Sequence, residues 1–406
     1  MRESFTLSVY GLGYIGLPTS LEFANAGYNV IGVDVNESAV TQLNQGELHI
    51  FEEGLDEWYR HVRANGKFRA TTTPEPADVF FIAVPTPINI DKTADMRAVR
   101  SATESIAQVL QPGALVILVS TSPPRTCLDL IAPIIFEKTG LSHETDYDLV
   151  HCPERVIPGA ILKEFKENDR IVGGTTARAT ARAFELYKTI VDESKLHQTD
   201  SVTAEMCKLM ENTFRDVNIA LANEMAKVCA RMEIDPRRAL RLASLHPRVN
   251  YLSPGIGVGG HCIPIDPWFI IEKAPDITPL MQAARQVNDA RPHEVVEEIL
   301  DKAKVGPIAV LGLAFKPNVD DLRESPAIEV AELLAQHEDG EILICEPFIH
   351  ELPKNLRQYP NVRLTLLEEA VGADTVVVLV AHDAFRDAAV APDAVVLDFV
   401  GVLPTR

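Results

Sequence analysis

The segment richest in possible chemistry is Gly255-Ile256-Gly257-Val258-Gly259-Gly260-His261-Cys262-Ile263-Pro264-Ile265-Asp266-Pro267. Four glycines before one cysteine let the backbone pack closely against a ligand while the sulfur stays exposed. A thiolate is an effective nucleophile towards an aldehyde, and Asp266 follows within the same turn. A single cysteine in a globular chain is usually an inert core residue; the glycine run and the Pro264–Pro267 turn favour a nucleophile here. No metal site is expected. Adjacent His261 and Cys262 do not readily bind one ion, and the six scattered cysteines show no zinc-type spacing.

Three other groups carry side chains suited to acid–base work. Lys208 and Asn212 are four residues apart and share a helix face with Glu205, as a catalytic stripe or as a solvated one. Cys152-Pro153-Glu154-Arg155 ends a strand, so Glu154 is either an acid/base or a surface carboxylate. Ser120-Thr121-Ser122-Pro123 ends the strand before it.

A cofactor end is also readable. Gly11-Leu12-Gly13-Tyr14-Ile15-Gly16 follows a strand and opens a helix. Gly11 permits the tight turn, Gly13 lets backbone approach a pyrophosphate, and Gly16 allows close helix–strand packing. The helix N-terminus offers free N–H groups to phosphates. Asp34 ends the next strand, 18 residues beyond Gly16. A carboxylate there accepts hydrogen bonds from ribose hydroxyls and repels a 2′-phosphate, which favours NAD over NADP. The loop Val84-Pro85-Thr86-Pro87 ends another strand and makes Thr86 a candidate cofactor contact.

These groups need a scaffold, and the pattern supplies one. Strand candidates Phe5–Val9, Asn29–Val33, Val79–Ala83, Ala114–Leu118 and Tyr147–His151 alternate with helical stretches such as Leu17–Ala26 and Met96–Leu110. From Ser201 to Met232 the reading is one long helix, with Ser201 or Thr203 as N-cap and Asp235-Pro236 as the stop. Strands return at Ile308–Leu311, Glu341–Ile344, Thr375–Val380 and Val395–Phe399. The expected class is α/β, with two Rossmann-like doubly wound domains joined by a central helical region. The expected domains are residues 1–200, which carry the cofactor end, a helical 201–300 with the cysteine loop, and a second βα set at 301–406.

Composition sets the outer limits. The 406 residues carry 38 Lys+Arg against 58 Asp+Glu, a formal charge of −20. Such a surface disfavours nucleic acid and anionic membranes. No apolar run approaches the roughly 18 residues of a membrane span. The start Met1-Arg2-Glu3-Ser4 leads into no signal-type apolar region, so a cytoplasmic protein with free thiols is expected.

In combination the pieces resemble the UDP-glucose/GDP-mannose dehydrogenase family over essentially the whole chain. In order, they are the Gly11–Gly16 loop, Val84–Pro87, Ser120–Pro123, Pro153-Glu154, Ala204-Glu205-x-x-Lys208-x-x-x-Asn212 and the Gly257–Asp266 loop. Gly312-Leu313-Ala314-Phe315-Lys316 follows, with Asp320-Asp321-x-Arg323-x-Ser325-Pro326. The resemblance implies oxidation of a sugar C6 alcohol to a carboxylate with two NAD+ and one water. It implies that Lys208 and Asp266 handle the alcohol proton through water held by Thr121. It makes Cys262 the carrier of a thiohemiacetal and then a thioester, Glu154 the acid/base of that half, and Lys208 with Asn212 the oxyanion stabilisers.

Cofactor contacts implied are Gly11, Gly13, Tyr14, Ile15, Gly16, Asp34, Thr86, Thr121 and Arg323. Substrate contacts are Glu154, Arg155, Lys208, Asn212, Gly259, Lys316 and Arg248, the last reaching across a homodimer. Cys152–Gly159, His246–Asn250 and Gly260–Phe269 resemble the branch acting on UDP-N-acetyl-D-mannosamine, in polysaccharide biosynthesis. The alternatives are UDP-N-acetylglucosamine, UDP-glucose, GDP-mannose or a silent nucleotide-sugar sensor. Three positions depart from expectation. Pro124-Arg125-Thr126 stands where the family has a small residue and glycine, which strains Arg125 if that glycine has positive φ. Cys127, at a helix start, is expected to have a lowered pKa. Pro158 replaces a second glutamate of the UDP-glucose branch, leaving Glu154 alone.

Overall fold

The structure is a computed structural model and describes residues 5–157, 159–337 and 340–403. Met1–Ser4 and Pro158 lie outside the described residues, and so do the expectations attached to them. The chain forms two compact units, Met1–Glu211 with Trp268–Lys273, and Asn212–Pro267 with Ala274–Arg406.

The first unit is built on an eight-stranded sheet. Its strands are β1 (Thr6–Tyr10), β2 (Asn29–Val33), β3 (Phe68–Thr71), β4 (Val79–Ile82), β5 (Leu115–Leu118), β6 (Asp148–His151), β7 (Arg170–Gly174) and β8 (Leu196–Asp200). They lie in the order β3-β2-β1-β4-β5-β6-β7-β8, parallel except where β7 runs against β6. The strand order reverses between the parallel neighbours β1 and β4, and this switch point creates the crevice at which such sheets bind dinucleotides. Strand alternation explains the continuous apolar runs: Leu7, Val79, Phe81, Leu115 and Ile117 pack into one core, and Phe80, Ile82, Val116 and Leu118 into another.

The second unit carries β9 (Ile308–Leu311), β10 (Ile342–Cys345), β11 (Val362–Leu364), β12 (Thr375–Val378) and β13 (Val395–Asp398). Its order, β11-β10-β9-β12-β13, repeats the permutation of the first five strands, all parallel. The α/β class with two Rossmann-like sheets is therefore as expected.

Four strands escaped the sequence pattern. β8 is a largely exposed, polar edge strand and β11 has only three residues. β3 reads Phe-Arg-Ala-Thr, too short to show alternation. β7 ends in Gly173 and Gly174, which resemble a turn. A Cβ at Gly173 would lie 2.3 Å from the Asp200 carbonyl oxygen, and one at Gly174 2.4 Å from the Thr180 nitrogen, so close packing demands both glycines.

The long helix runs from Ser201 to Arg231. Its cap is Asp200, not Ser201 or Thr203: Asp200 Oδ1 accepts from the Thr203 amide at 2.9 Å. Asp235-Pro236 is a start and not a stop. Asp235 caps the next helix, Pro236–Ala243, by accepting from the amides of Arg237 and Arg238.

Candidate active site

In the first unit the glycine turn has the geometry a dinucleotide needs. Gly11 has φ 90°, and a Cβ there would lie 2.4 Å from the Ala83 carbonyl oxygen. A Cβ at Gly16 would lie 1.8 Å from the Gly11 oxygen, while one at Gly13 would meet nothing within 4 Å. Two glycines thus close the turn and the third leaves open space. Tyr14 and Ile15 lie within the turn, and the helix Gly16–Asn25 starts directly behind it. Asp34 is half-buried, with Oδ2 accepting from the Leu12 amide at 2.7 Å and Oδ1 from the Asn36 amide at 2.9 Å. This turn and carboxylate fit NAD, because the carboxylate oxygens retain lone pairs for ribose hydroxyls.

The loops after β4 and β5 are joined to each other. Thr86 Oγ1 donates to the Thr121 carbonyl at 2.7 Å, and Ser120 Oγ accepts from the Val84 amide at 2.9 Å. Arg125 takes φ 74°, as the missing glycine led one to expect, at a cost of about 1–2 kcal/mol for an L-residue. Glu205 compensates: its two oxygens accept from the amides of Arg125 (2.5 Å) and Cys127 (2.9 Å). Glu205 is fully buried, so it holds this turn and does not face solvent. Burial lifts its carboxyl to about 7, against those amide bonds.

This neighbourhood overturns the expectation for Cys127. The thiol is buried, and burial with the adjacent Glu205 carboxylate pushes its pKa well up. Cys127 and Glu205 also lie close to His151, but both Glu205 oxygens are already committed to the turn.

Glu154 is buried and forms an ion pair with Arg170, itself buried, whose guanidinium stacks 4.1 Å from the Phe165 ring centroid. Arg155 pairs with Glu211 at 2.5 Å and donates to the Asp169 carbonyl at 2.9 Å. The loop bearing both is fastened from far along the chain: buried Glu52 accepts from the amides of Gly159 and Ile161, each at 2.8 Å. Lys208 lies half-buried on the long helix, four residues before Asn212.

In the second unit the cysteine loop is held by glycine packing and by a polar network. Gly257 has φ 133° and Gly260 φ 82°. A Cβ at Gly259 would lie 2.6 Å from Pro326 Cδ and 2.8 Å from the Glu324 oxygen. Upstream, Gly255 donates to Asn223 Oδ1 (2.9 Å), and its carbonyl accepts from Arg291 Nε (3.0 Å). Asn223 bonds Asn288, Asn288 bonds Asp216 at 2.9 Å, and Arg285 pairs with Asp216 at 2.5 Å. Sequence reading missed these four buried residues, as it missed Glu52 and Arg170. Nothing local marks them, because each partner is far along the chain or across strands.

Cys262 is exposed, and its carbonyl accepts from the Asp266 amide at 2.9 Å, which places the two on one helical turn. Asp266 is buried and accepts from Asn212 Nδ2 at 2.6 Å. Of the candidates in this unit, Asn212 and Asp266 are thus joined and the thiol is one turn away. Lys316 is half-buried; Arg323 is exposed and pairs with Asp321 at 2.6 Å; Arg248 is exposed. Among the described residues no helix is long and apolar enough to cross a membrane.

Comparisons with known proteins show the family. The UDP-glucose/GDP-mannose dehydrogenase family matches through its NAD binding domain at residues 5–191, its central domain at 202–290 and its UDP binding domain at 309–405. The UDP-N-acetyl-D-mannosamine dehydrogenase of Escherichia coli (strain K12) is 48% identical over 401 residues, covering 94% of each chain. The NDP-N-acetyl-D-galactosaminuronic acid dehydrogenase of Ralstonia solanacearum is 48% identical over 391 residues, covering 94% of this chain and 92% of that protein. Among solved structures, the UDP-D-ManNAc dehydrogenase from Pyrococcus horikoshii superposes with a TM-score of 0.89 at 36% identity, over 99% of this chain and 96% of that one.

Proposed function

Because the chain belongs to the UDP-glucose/GDP-mannose dehydrogenase family, we propose that it oxidises UDP-N-acetyl-D-mannosamine at C6 to the uronate, using NAD. The observation that carries this reading is Cys262, an exposed thiol on a glycine-packed turn, followed one helical turn later by the Asn212–Asp266 pair. The sugar is argued from Cys152–Gly159, His246–Asn250 and Gly260–Phe269, and from relatives of that name.

NAD held by the Gly11–Gly16 turn and Asp34 would supply the hydride acceptor for each of two oxidations. In the first, Lys208 and Asp266 take up the C6 hydroxyl proton through water held by Thr121. Cys262 then attacks the aldehyde, a C–S bond forms, and Lys208 with Asn212 stabilises the oxyanion. Oxidation of this thiohemiacetal leaves a thioester. Glu154, held in place by Arg170, takes the proton of the water that cleaves the C–S bond, releasing thiolate and carboxylate. Gly11, Gly13, Tyr14, Ile15, Gly16, Asp34, Thr86, Thr121 and Arg323 hold the cofactor, and Glu154, Arg155, Gly259 and Lys316 the sugar nucleotide. These cations answer how a chain of charge −20 binds an anionic substrate.

In this reading residues 1–200 serve NAD, 201–300 dimerisation and the catalytic loop, and 301–406 the UDP-sugar. A cytoplasmic homodimer completes the reading, with Arg248 reaching the partner's substrate. Exposed Phe214, Leu221 and Val228, seven residues apart on the long helix, support a protein partner on that face.

The test is an NADH assay with limiting nucleotide sugar. Two NADH per sugar with little free aldehyde is expected; one NADH with aldehyde released would mean an ordinary alcohol dehydrogenase. The identity shared with the galactosaminuronic acid enzyme favours a second reading, a galacto-configured sugar. Discrimination between UDP-N-acetyl-D-mannosamine and its C2 epimer UDP-N-acetylglucosamine should be about 5- to 150-fold in kcat/KM, as one buried polar group left unpaired costs about 1–3 kcal/mol. Equal or reversed preference would remove the specific substrate and keep the family.

A further inference from the structure

The second sheet repeats the glycine turn of the first and then closes it. Gly312 follows β9 with φ 95°, and its amide donates to the Cys345 carbonyl at 2.8 Å. The amides of Leu313 and Ala314 donate to Glu346 Oε2 at 2.7 and 3.1 Å, and Phe348 donates to Oε1 at 3.1 Å. The remaining approach to Glu346 is taken by His382 Nε2, 3.1 Å from Oε2, and neither side chain has any exposure. Burial alone would push the Glu346 carboxyl up; His382 and the Leu313 and Phe348 amides hold it below its ordinary value.

The other edge of the His382 ring faces the loop. Its Nδ1 accepts from the Asn318 amide at 2.9 Å, which assigns the proton to Nε2. Phe348 and Phe385 pack against the ring with centroids at 5.2 and 5.3 Å. Asp383 adds two bonds to the Asn318 side chain, at 3.0 and 2.8 Å, and Asn318 itself has φ 60°. Asn318 lies two residues after Lys316, in a stretch from Gly312 to Ser325 without helix or strand.

We propose that His382, seated on Glu346, is a positioning residue that latches the Gly312–Asn318 segment, short of Arg323, in the shape presenting Lys316 to the nucleotide portion of the substrate. The proposal rests on the reading of Lys316 given above. An irregular loop samples many conformations, and a ligand that needs one of them binds more weakly by the fraction of time that conformation is absent. The latch removes that loss by tying the loop's backbone to a ring that cannot move.

The test measures equilibrium binding of UDP and of NAD to the full-length chain, together with the unfolding midpoint. His382→Ala should weaken UDP about tenfold or more while leaving NAD within about twofold. His382→Asn places an amide oxygen near the Nδ1 position and should recover most of the loss, whereas His382→Gln keeps a donor to Glu346 but not the acceptor for Asn318 and should stay weak. Should the histidine variants fail to fold, exposed Asp383→Ala removes one loop bond and should weaken UDP about two- to threefold. Unchanged UDP binding in folded His382→Gln or Asp383→Ala, or equal weakening of UDP and NAD, overturns the latch. A wild-type protein that binds NAD but not UDP overturns the Lys316 reading and the latch together, which separates the two failures.

Discussion

The turns at Gly11 and Gly312 begin alike and end differently. Each follows the third strand in the order of its sheet with φ near 90°, and each donates its amide to the last residue of the neighbouring strand at 2.8 Å. In each, the next amide donates at 2.7 Å to a carboxylate just past that strand, Asp34 or Glu346. Beyond this point the first turn opens: Gly13 is exposed, a helix starts at Gly16, and Asp34 stays partly accessible. The second is sealed: Ala314 is buried, Glu346 receives three amides and an imidazole, and the next helix waits until Pro326. A strand, a glycine turn and a carboxylate therefore make a frame, and the groups around the carboxylate decide whether it reads a ligand or braces a loop.

The largest effect should come from Cys262→Ser, which asks whether the chemistry belongs to the second unit's cysteine loop. Turnover should fall about a thousandfold or more, because an alkoxide is a poorer nucleophile and leaving group at this step, while NAD and UDP binding persist. Full activity in steady-state assays would sink the assignment.

Next, Gly16→Ala and Gly312→Ala separate the two turns. Gly16→Ala drives a Cβ into the Gly11 carbonyl and should abolish NAD binding in a fluorescence titration. Gly312→Ala meets Val380 Cβ at 2.5 Å and should cost about 1–3 kcal/mol in denaturant unfolding, with NAD affinity retained. If the second variant loses NAD as completely as the first, the division of roles between the turns is wrong.

Buried histidines sharpen the contrast through pH. His382 is bonded at both nitrogens, whereas His151 in the first unit is pushed down to about 3 by burial, against the Leu118 carbonyl and with the Lys208 charge adding to the push. Between pH 6.5 and 3 the unfolded chain binds a proton at His151 that the folded chain refuses. Stability from this group is full above pH 6.5 and falls by about 1.4 kcal/mol for each pH unit below it. Glu205, lifted to about 7 by burial, keeps a proton in the folded chain over the same range and opposes this slope, so the check is a difference: stability of the parent from urea unfolding should fall more steeply from pH 8 to 5 than that of His151→Gln.

The smallest effect concerns Asp34, whose accessibility means that water can replace it. Asp34→Ala should change stability by no more than about 0.5–1 kcal/mol, yet narrow the preference for NAD over NADP measured as a kcat/KM ratio. Equal use of both cofactors by the unmodified protein would contradict the open reading of this turn.

Features set by neighbours a few residues away were legible in the chain itself. The Gly11–Gly16 turn, Asp34, the glycine run before Cys262 and the long apolar strands follow from the φ, space and burial that their own residues permit. Short or polar strands such as β8 and β11 were not, because their place depends on pairing and not on alternation.

Electrostatic character and support were decided only by the tertiary structure. Cys127 looked like an activated thiol at a helix start, and burial beside Glu205, 78 residues away, made it the reverse. Arg170 against Glu154, Glu52 beneath the Gly159–Ile161 backbone and His382 against Glu346 likewise join residues that no local spacing relates. Backbone preference is a property of a residue and its neighbours, so sequence determined the turns, including the glycine-shaped backbone before Cys262. The field and the hydrogen bonds at a buried atom are set by every chain segment packed around it, so only the fold decided which carboxylate stays open, which is closed and which thiol is inert.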